Sequence, residues 1–205
     1  MKNYVERAMS YATYLELMDR LVVEGRTTGP NQSEALVQFT KLNRQRMQRL
    51  DRTIELTERA IAAARGVQRP MIWLIITEAW CGDAAQNIPP IEKIAASGDK
   101  IETRYILRDE HPELIDRFLT NGARSIPKLI ALDAAAFAVL GTWGARPSAA
   151  QRLFEELKAQ GVDKPVILEQ IQRWYNADRT VSLQNEFVDL IAEWQSAAAS
   201  VAGAR

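Results

Sequence analysis

The chain of 205 residues carries a single cysteine, Cys81, within the stretch TEAWCGDAAQNIPP that spans positions 77–90. Trp80 precedes it, and Gly82 and Asp83 follow. The residues before this stretch read as a buried strand and those after it as a helix. A thiol held at such a junction faces the unpaired N–H groups of the helix start, and these favour the thiolate. The thiolate is the nucleophile of thiol–disulfide exchange. Trp80 would shield one side of the sulfur while leaving it reachable, and Gly82 would let the chain turn tightly into the helix. The structural alternatives are ordinary: Trp80 as core, Gly82 as a turn residue, and Cys81 as a small inert hydrophobe.

Asp83 works against activation. At roughly 7 Å and an effective dielectric of about 20 to 80, its carboxylate would repel a neighbouring thiolate by about 0.6–2.4 kcal/mol. The helix terminus offsets this by about 0.3–2 kcal/mol. The two effects roughly cancel, which predicts a thiol titrating near a free cysteine rather than a strongly activated one. Other polar residues could crowd the site. Glu78, at the strand end, could accept a proton, or could be a loop carboxylate bound by backbone N–H groups. His111 could exchange a proton near Cys81; its position just before Pro112 equally suits a helix start. Arg124 could attract a thiolate or the carboxylate of glutathione, against the default of a surface arginine.

The elements that must position these groups follow from pattern. MIWLIIT (71–77) is short, apolar and rich in branched and aromatic side chains, as a strand buried on both faces should be. A helix starts near Asp83, bent by Pro89 and Pro90. KIETRYILRD alternates as a strand, and HPELIDRFLTNG reads as a helix with Pro112 in its first turn and Gly122 past its end. IPKLIALD and AFAVLGTWG read as antiparallel neighbours. SAAQRLFEELKAQG follows as a helix capped by Ser148. Before the first strand, one helix is expected through Met9, Tyr14, Leu17, Met18 and Leu21, stopping at Gly25. A second is expected from about 32 to 65, opened by the capping-box spacing of Asn31 and Glu34. Its inner face would hold Leu36, Phe39, Met47, Leu50, Ile54 and Ile61. Lys41, Arg44, Arg46, Arg49 and Arg52 lie on the other side, a basic face that could hold an anion or an acidic partner, with a solvated outer face as the expected reading. Two further helical stretches occupy the tail, and the final SAAASVAGAR is expected to fray. This divides the chain into a helical N-terminal extension (1–66), an α/β domain (67–160) and a C-terminal helical extension (161–205).

Composition narrows the function. Apolar residues make up 47% and charged residues 25%, as in a globular protein. Lys plus Arg equal Asp plus Glu at 26 each, so no global field draws nucleic acid or a membrane surface. A lone cysteine excludes an intrachain disulfide and the four-cysteine zinc sites. The charged start lacks the apolar region of a signal peptide, and the expected compartment is the cytoplasm.

From about 68 to 160 the order strand, helix, strand, helix, strand, strand, helix, together with the residues at the site, resembles thioredoxin. AWCGDA stands where thioredoxins have a tryptophan followed by Cys-Gly-Pro-Cys. Pro89 sits at the spacing of the helix-kinking proline. ARSIPKL looks like the segment that carries the family's cis-proline, here Pro127, with Gly144 near the family's glycine after the strand pair. The resemblance implies a thioredoxin-like mixed sheet flanked by helices, with added helices at both ends. It also implies that the peptide groups around Ile126 and Pro127 could pair with an extended substrate. Ala84 stands where the resolving cysteine would be, so a mixed disulfide at Cys81 would need an external thiol, glutathione or another small one. Ile75 replaces the buried aspartate that the resemblance links to the resolving thiol, and Asp83 replaces proline. The expected activity is monothiol exchange on a disulfide-bearing protein or a small thiol, with no bound cofactor and no metal. The alternative is an inactive binding module with a peptide groove beside Pro127. A single-cysteine peroxidase fits less well, because the Pro, Thr and Arg motif of that branch is missing. The added helices pack on the core or form a homodimer seam.

Overall fold

The computed structural model describes residues 1–203. Four strands form one sheet: β1 (Met71–Thr77), β2 (Ile101–Leu107), β3 (Lys128–Asp133) and β4 (Val139–Trp143), in the order β2-β1-β3-β4. β1 runs parallel to β2 and antiparallel to β3, and β3 is antiparallel to β4, so the sheet is mixed. Every residue of β1 is buried, as its unbroken apolar run requires when helices cover both faces. β2 does not alternate: its last three residues are all buried.

The expected first helix is two helices. α1 (Lys2–Arg7) ends where Met9 bonds in both directions with Tyr105 and extends the sheet at its β2 edge. Ser10 then caps α2 (Tyr11–Glu24) by accepting from the Thr13 N–H. The second expected helix is also broken. α3 (Glu34–Thr53) stops at the buried Ile54, and α4 (Glu58–Arg65) restarts behind Thr57. The break is held from far away in sequence. Gln184 accepts from the Thr57 N–H and donates to the Glu55 carbonyl. The capping-box expectation fails as well: Ser33 is the N-cap, and Asn31 Oδ1 accepts from the Ser33 N–H instead.

The face that α3 buries consists of Thr40, Asn43 and Met47, while Phe39 stays exposed. The expected apolar sector was therefore displaced, and one edge of the basic face turns inward, as described below. After β1 comes α5 (Gly82–Ala96), unbroken through Pro89 and Pro90. The helix expected from His111 onward is only α6 (Pro112–Ile115). α7 (Ser148–Ala159) begins behind Pro147 rather than behind Ser148, whose N–H donates to Glu186. α8 (Lys164–Asp178) and α9 (Val181–Gly203) complete the chain. The expected fraying does not start at Ser196: α9 continues through it with Ala198 buried, and the last two residues lie outside the described ones.

The added helices share the core. α2 lies against β2, α3 against α5, α4 and β4 against α9. Tyr14 of α2 stacks on Tyr105, with ring centroids 5.5 Å apart. Phe187 and Trp194 of α9 meet Trp73 edge-on. Among the described residues, no helix is long and apolar enough to cross a membrane.

Candidate active site beside Cys81

Cys81 is the N-cap of α5. Its sulfur accepts from the Ala84 N–H at 3.4 Å and, as a thiol, donates to the Ile126 carbonyl at 3.2 Å. The Ile126–Pro127 peptide is cis. A helix-capping sulfur thus stands against the carbonyl that precedes a cis-proline. Gly144 makes room for this loop: at φ +123 it occupies the region that favours glycine, and a Cβ there would run into the Pro127 carbonyl. The thioredoxin profile matches residues 29–158, well over half the chain. The chain belongs to the thioredoxin family. The match takes in α3 and α4 as well as the sheet.

Solved structures agree on the fold alone. A protein of unknown function from Pseudomonas aeruginosa is 14% identical, with a TM-score of 0.56 over 98% of this chain and 96% of that one. An HIV epitope scaffold is 17% identical, with a TM-score of 0.55 over 90% of this chain and 97% of that one. No curated protein matches the chain.

The site departs from the electrostatic balance expected for Cys81. The residue is only 8% exposed. Burial, more than the Asp83 charge, pushes its pKa from 9.0 to about 12, against the Ala84 and Asp83 N–H groups and Arg146. Desolvation was the missing quantity, since a position in sequence does not reveal how much water a thiol retains. Asp83 is half-buried, and desolvation raises its pKa despite its partners. Those partners are Arg146, which pairs with Oδ2 at 2.7 Å, and Tyr175, whose hydroxyl donates to Oδ1 at 3.0 Å. Asn87 donates to both the Asp83 carbonyl and the Tyr175 hydroxyl at 2.8 Å. The Arg146 guanidinium lies 4.1 Å from the centre of the Phe154 ring.

The remaining candidates separate. Trp80 is half-buried beside Cys81, with Arg108 over its ring at 4.8 Å. Gly82 opens α5 with no unusual backbone, and a Cβ there would meet only Arg46 at 3.8 Å, so no tight turn demands glycine. Glu78 is bound by a loop N–H. Its Oε1 accepts from the Asp109 N–H at 2.8 Å, and burial raises its pKa from 4.5 to about 6. His111 is not at the thiol: it packs edge-on against Tyr4 and lies 3.4 Å from Glu113. Arg124 is committed to Asp116 through two hydrogen bonds of 2.6 Å. Ile75, in the place of the family's aspartate, is fully buried in hydrocarbon.

A cleft of about 300 Å³ opens at Cys81, Trp80 and Asp83, between α3 and α8. Sequence reasoning missed four of the residues around it. Arg46 falls on the face expected to be solvated. Asn43 reads as an interior helix asparagine, yet it donates to the Ala79 carbonyl at 3.0 Å. Arg146 and Tyr175 lie far along the chain, and no local spacing ties either to Asp83. Among the described residues, no group of three or more His, Cys, Asp or Glu converges as a metal site would require.

Proposed function

We propose that the protein performs monothiol exchange through Cys81 in a thiol-rich compartment such as the cytoplasm. The observation that carries this reading is the sulfur's position, capping α5 and abutting the Ile126 carbonyl before cis-Pro127, on a residue that lines a cleft. The Cys81 thiol loses its proton, and the thiolate attacks one sulfur of a disulfide. A new S–S bond forms to Cys81, and the departing thiolate takes up a proton. An external thiol such as glutathione then attacks the mixed disulfide. It releases Cys81 as the thiol and leaves with the other sulfur as a new disulfide.

The raised pKa makes the resting protein slow, because only a minute fraction of Cys81 is thiolate at neutral pH. One observation favours a second reading, an inactive binding module: the thiol is nearly sealed and its hydrogen is bound to the Ile126 carbonyl. A single experiment separates the two. The protein is incubated with an accessible disulfide at a series of pH values, and the adduct is followed by intact-mass spectrometry. Monothiol exchange predicts a Cys81 adduct that is absent in Cys81→Ser and disappears on adding a small thiol. Its formation rate should rise about tenfold per pH unit into the alkaline range without levelling. An adduct that never forms, even at alkaline pH, leaves only the binding module.

A further inference from the structure

The cleft at Cys81 carries a chemical signature of its own. Its walls are hydrocarbon: Leu36 and Phe39 from α3 face Leu168 and Ile171 from α8. Phe39 and Leu168 are each 41% exposed, an unusual state for large apolar side chains within a concavity. Arg46 and Lys164 supply positive charge to the lining. Arg46 is half-buried and held in place. Its Nη1 donates to Asn43 Oδ1 at 3.1 Å, and Asn43 is itself tied to the Ala79 carbonyl. The same guanidinium nitrogen stands 3.8 Å from where a Gly82 Cβ would be, next to the reactive residue. Among the described residues, neither Arg46 nor Lys164 forms an ion pair. The one carboxylate in the lining, Asp83, is already neutralised by Arg146 and bound by Tyr175.

We propose that this cleft selects small disulfides whose reacting half bears a negative charge on an apolar, aryl- or acyl-like body, with Arg46 as the specificity-determining cation. The proposal rests on the monothiol reading of Cys81. The body fills the space between Phe39 and Leu168, and its carboxylate or phosphate meets Arg46 and Lys164. α3 and α8 stand on either side of a thiol only 8% exposed, so a small molecule reaches it more readily than a disulfide on a folded protein. The exchange is balanced as before: one S–S bond breaks, one forms to Cys81, and the charged thiol leaves or stays according to which sulfur is attacked.

The test compares each disulfide with itself across variants, which cancels its intrinsic reactivity. Dithiobis(nitrobenzoate) is aromatic and anionic, dithiodipyridine is aromatic and uncharged, and cystamine is cationic. Rates of Cys81 modification are measured for the full chain, for Arg46→Gln and for Arg46→Lys, with circular dichroism confirming the fold. Arg46→Gln should slow the anionic disulfide by about tenfold and leave the uncharged one within about twofold. Cystamine should speed up, and Arg46→Lys should restore most of the anionic rate. Added salt should shrink the wild-type advantage for the anion. An equal slowing of all three disulfides overturns the proposal while leaving monothiol exchange intact, because Arg46 would then act on the thiol rather than on the substrate. A wild-type rate that falls as protein concentration rises would mean that a second copy covers the cleft, which also overturns it. If none of the three modifies Cys81, the monothiol reading falls and takes the proposal with it.

Discussion

Cys81 and Glu78 are three residues apart, and burial dominates the ionisation of both. For Cys81, the rise from 9.0 to about 12 corresponds to about 4 kcal/mol against the thiolate. A helix terminus returns about 0.3–2 kcal/mol, so desolvation wins. Glu78 makes the same effect measurable as stability. It is almost fully buried, Oε1 has the Asp109 N–H, and among the described residues Oε2 has no partner within hydrogen-bonding geometry. Its folded pKa of about 6 lies above the unfolded 4.5, so the folded state holds the proton more tightly. The sign follows by linkage: ionised Glu78 destabilises the fold, with no cost below about pH 4.5 and the full cost above about pH 6. A shift of this size is about 2 kcal/mol. Glu78→Gln keeps an acceptor for Asp109 and removes the charge. It should therefore gain about 2 kcal/mol over the wild type at neutral pH and almost nothing at pH 4, read from urea unfolding across that range. A gain independent of pH would show that burial does not perturb this carboxyl.

At the scale of elements, a glycine decides how closely α9 approaches the sheet. A Cβ on Gly141 in β4 would collide with the indole nitrogen of Trp194, whose ring is completely buried. Gly141→Ala should destabilise the protein by about 1–3 kcal/mol or more, because a rigid indole has nowhere to move. The same substitution at Gly82, with only the Arg46 guanidinium at 3.8 Å, should change stability by less than about 1 kcal/mol. Comparable losses at the two positions in thermal unfolding would refute this assignment of space. The contrast shows what pattern can and cannot reveal. The β1 run and the Trp-Cys-Gly, Pro89 and Ile-Pro spacing were legible, since a strand buried on both faces and a cis-proline loop leave local traces. Helix ends were not legible wherever a distant partner sets them. Gln184 breaks α3 from α4, and Tyr105 captures Met9 between α1 and α2. Arg46 was misassigned for the same reason: α3 turns Thr40, Asn43 and Met47 inward, which rotates the expected basic face until one of its arginines enters the cleft.

At the scale of the whole molecule, the family match ends at residue 158, yet the fold does not. α9 places Leu183, Phe187, Ile191, Trp194 and Ala198 at helical spacing in the core. Its amides and a carboxylate also fasten earlier parts of the chain together. Gln195 bonds the Gln68 and Arg69 backbone just ahead of β1, Gln184 holds the α3–α4 break, and Glu186 accepts from Trp143 Nε1 and the Ser148 N–H. Burying four large apolar side chains is worth about 6–12 kcal/mol at roughly 1.5–3 kcal/mol each. A domain's net stability is about 5–15 kcal/mol, so removing α9 consumes most or all of it. A chain ending at Thr180 should therefore fail to give a cooperative unfolding transition and should bind a hydrophobic dye, even though every residue of the Cys81 site apart from the α9-supported core remains. Sharp unfolding of that truncated chain at the full-length midpoint would mean that α9 is an accessory, and that Trp73 and Trp143 find cover elsewhere.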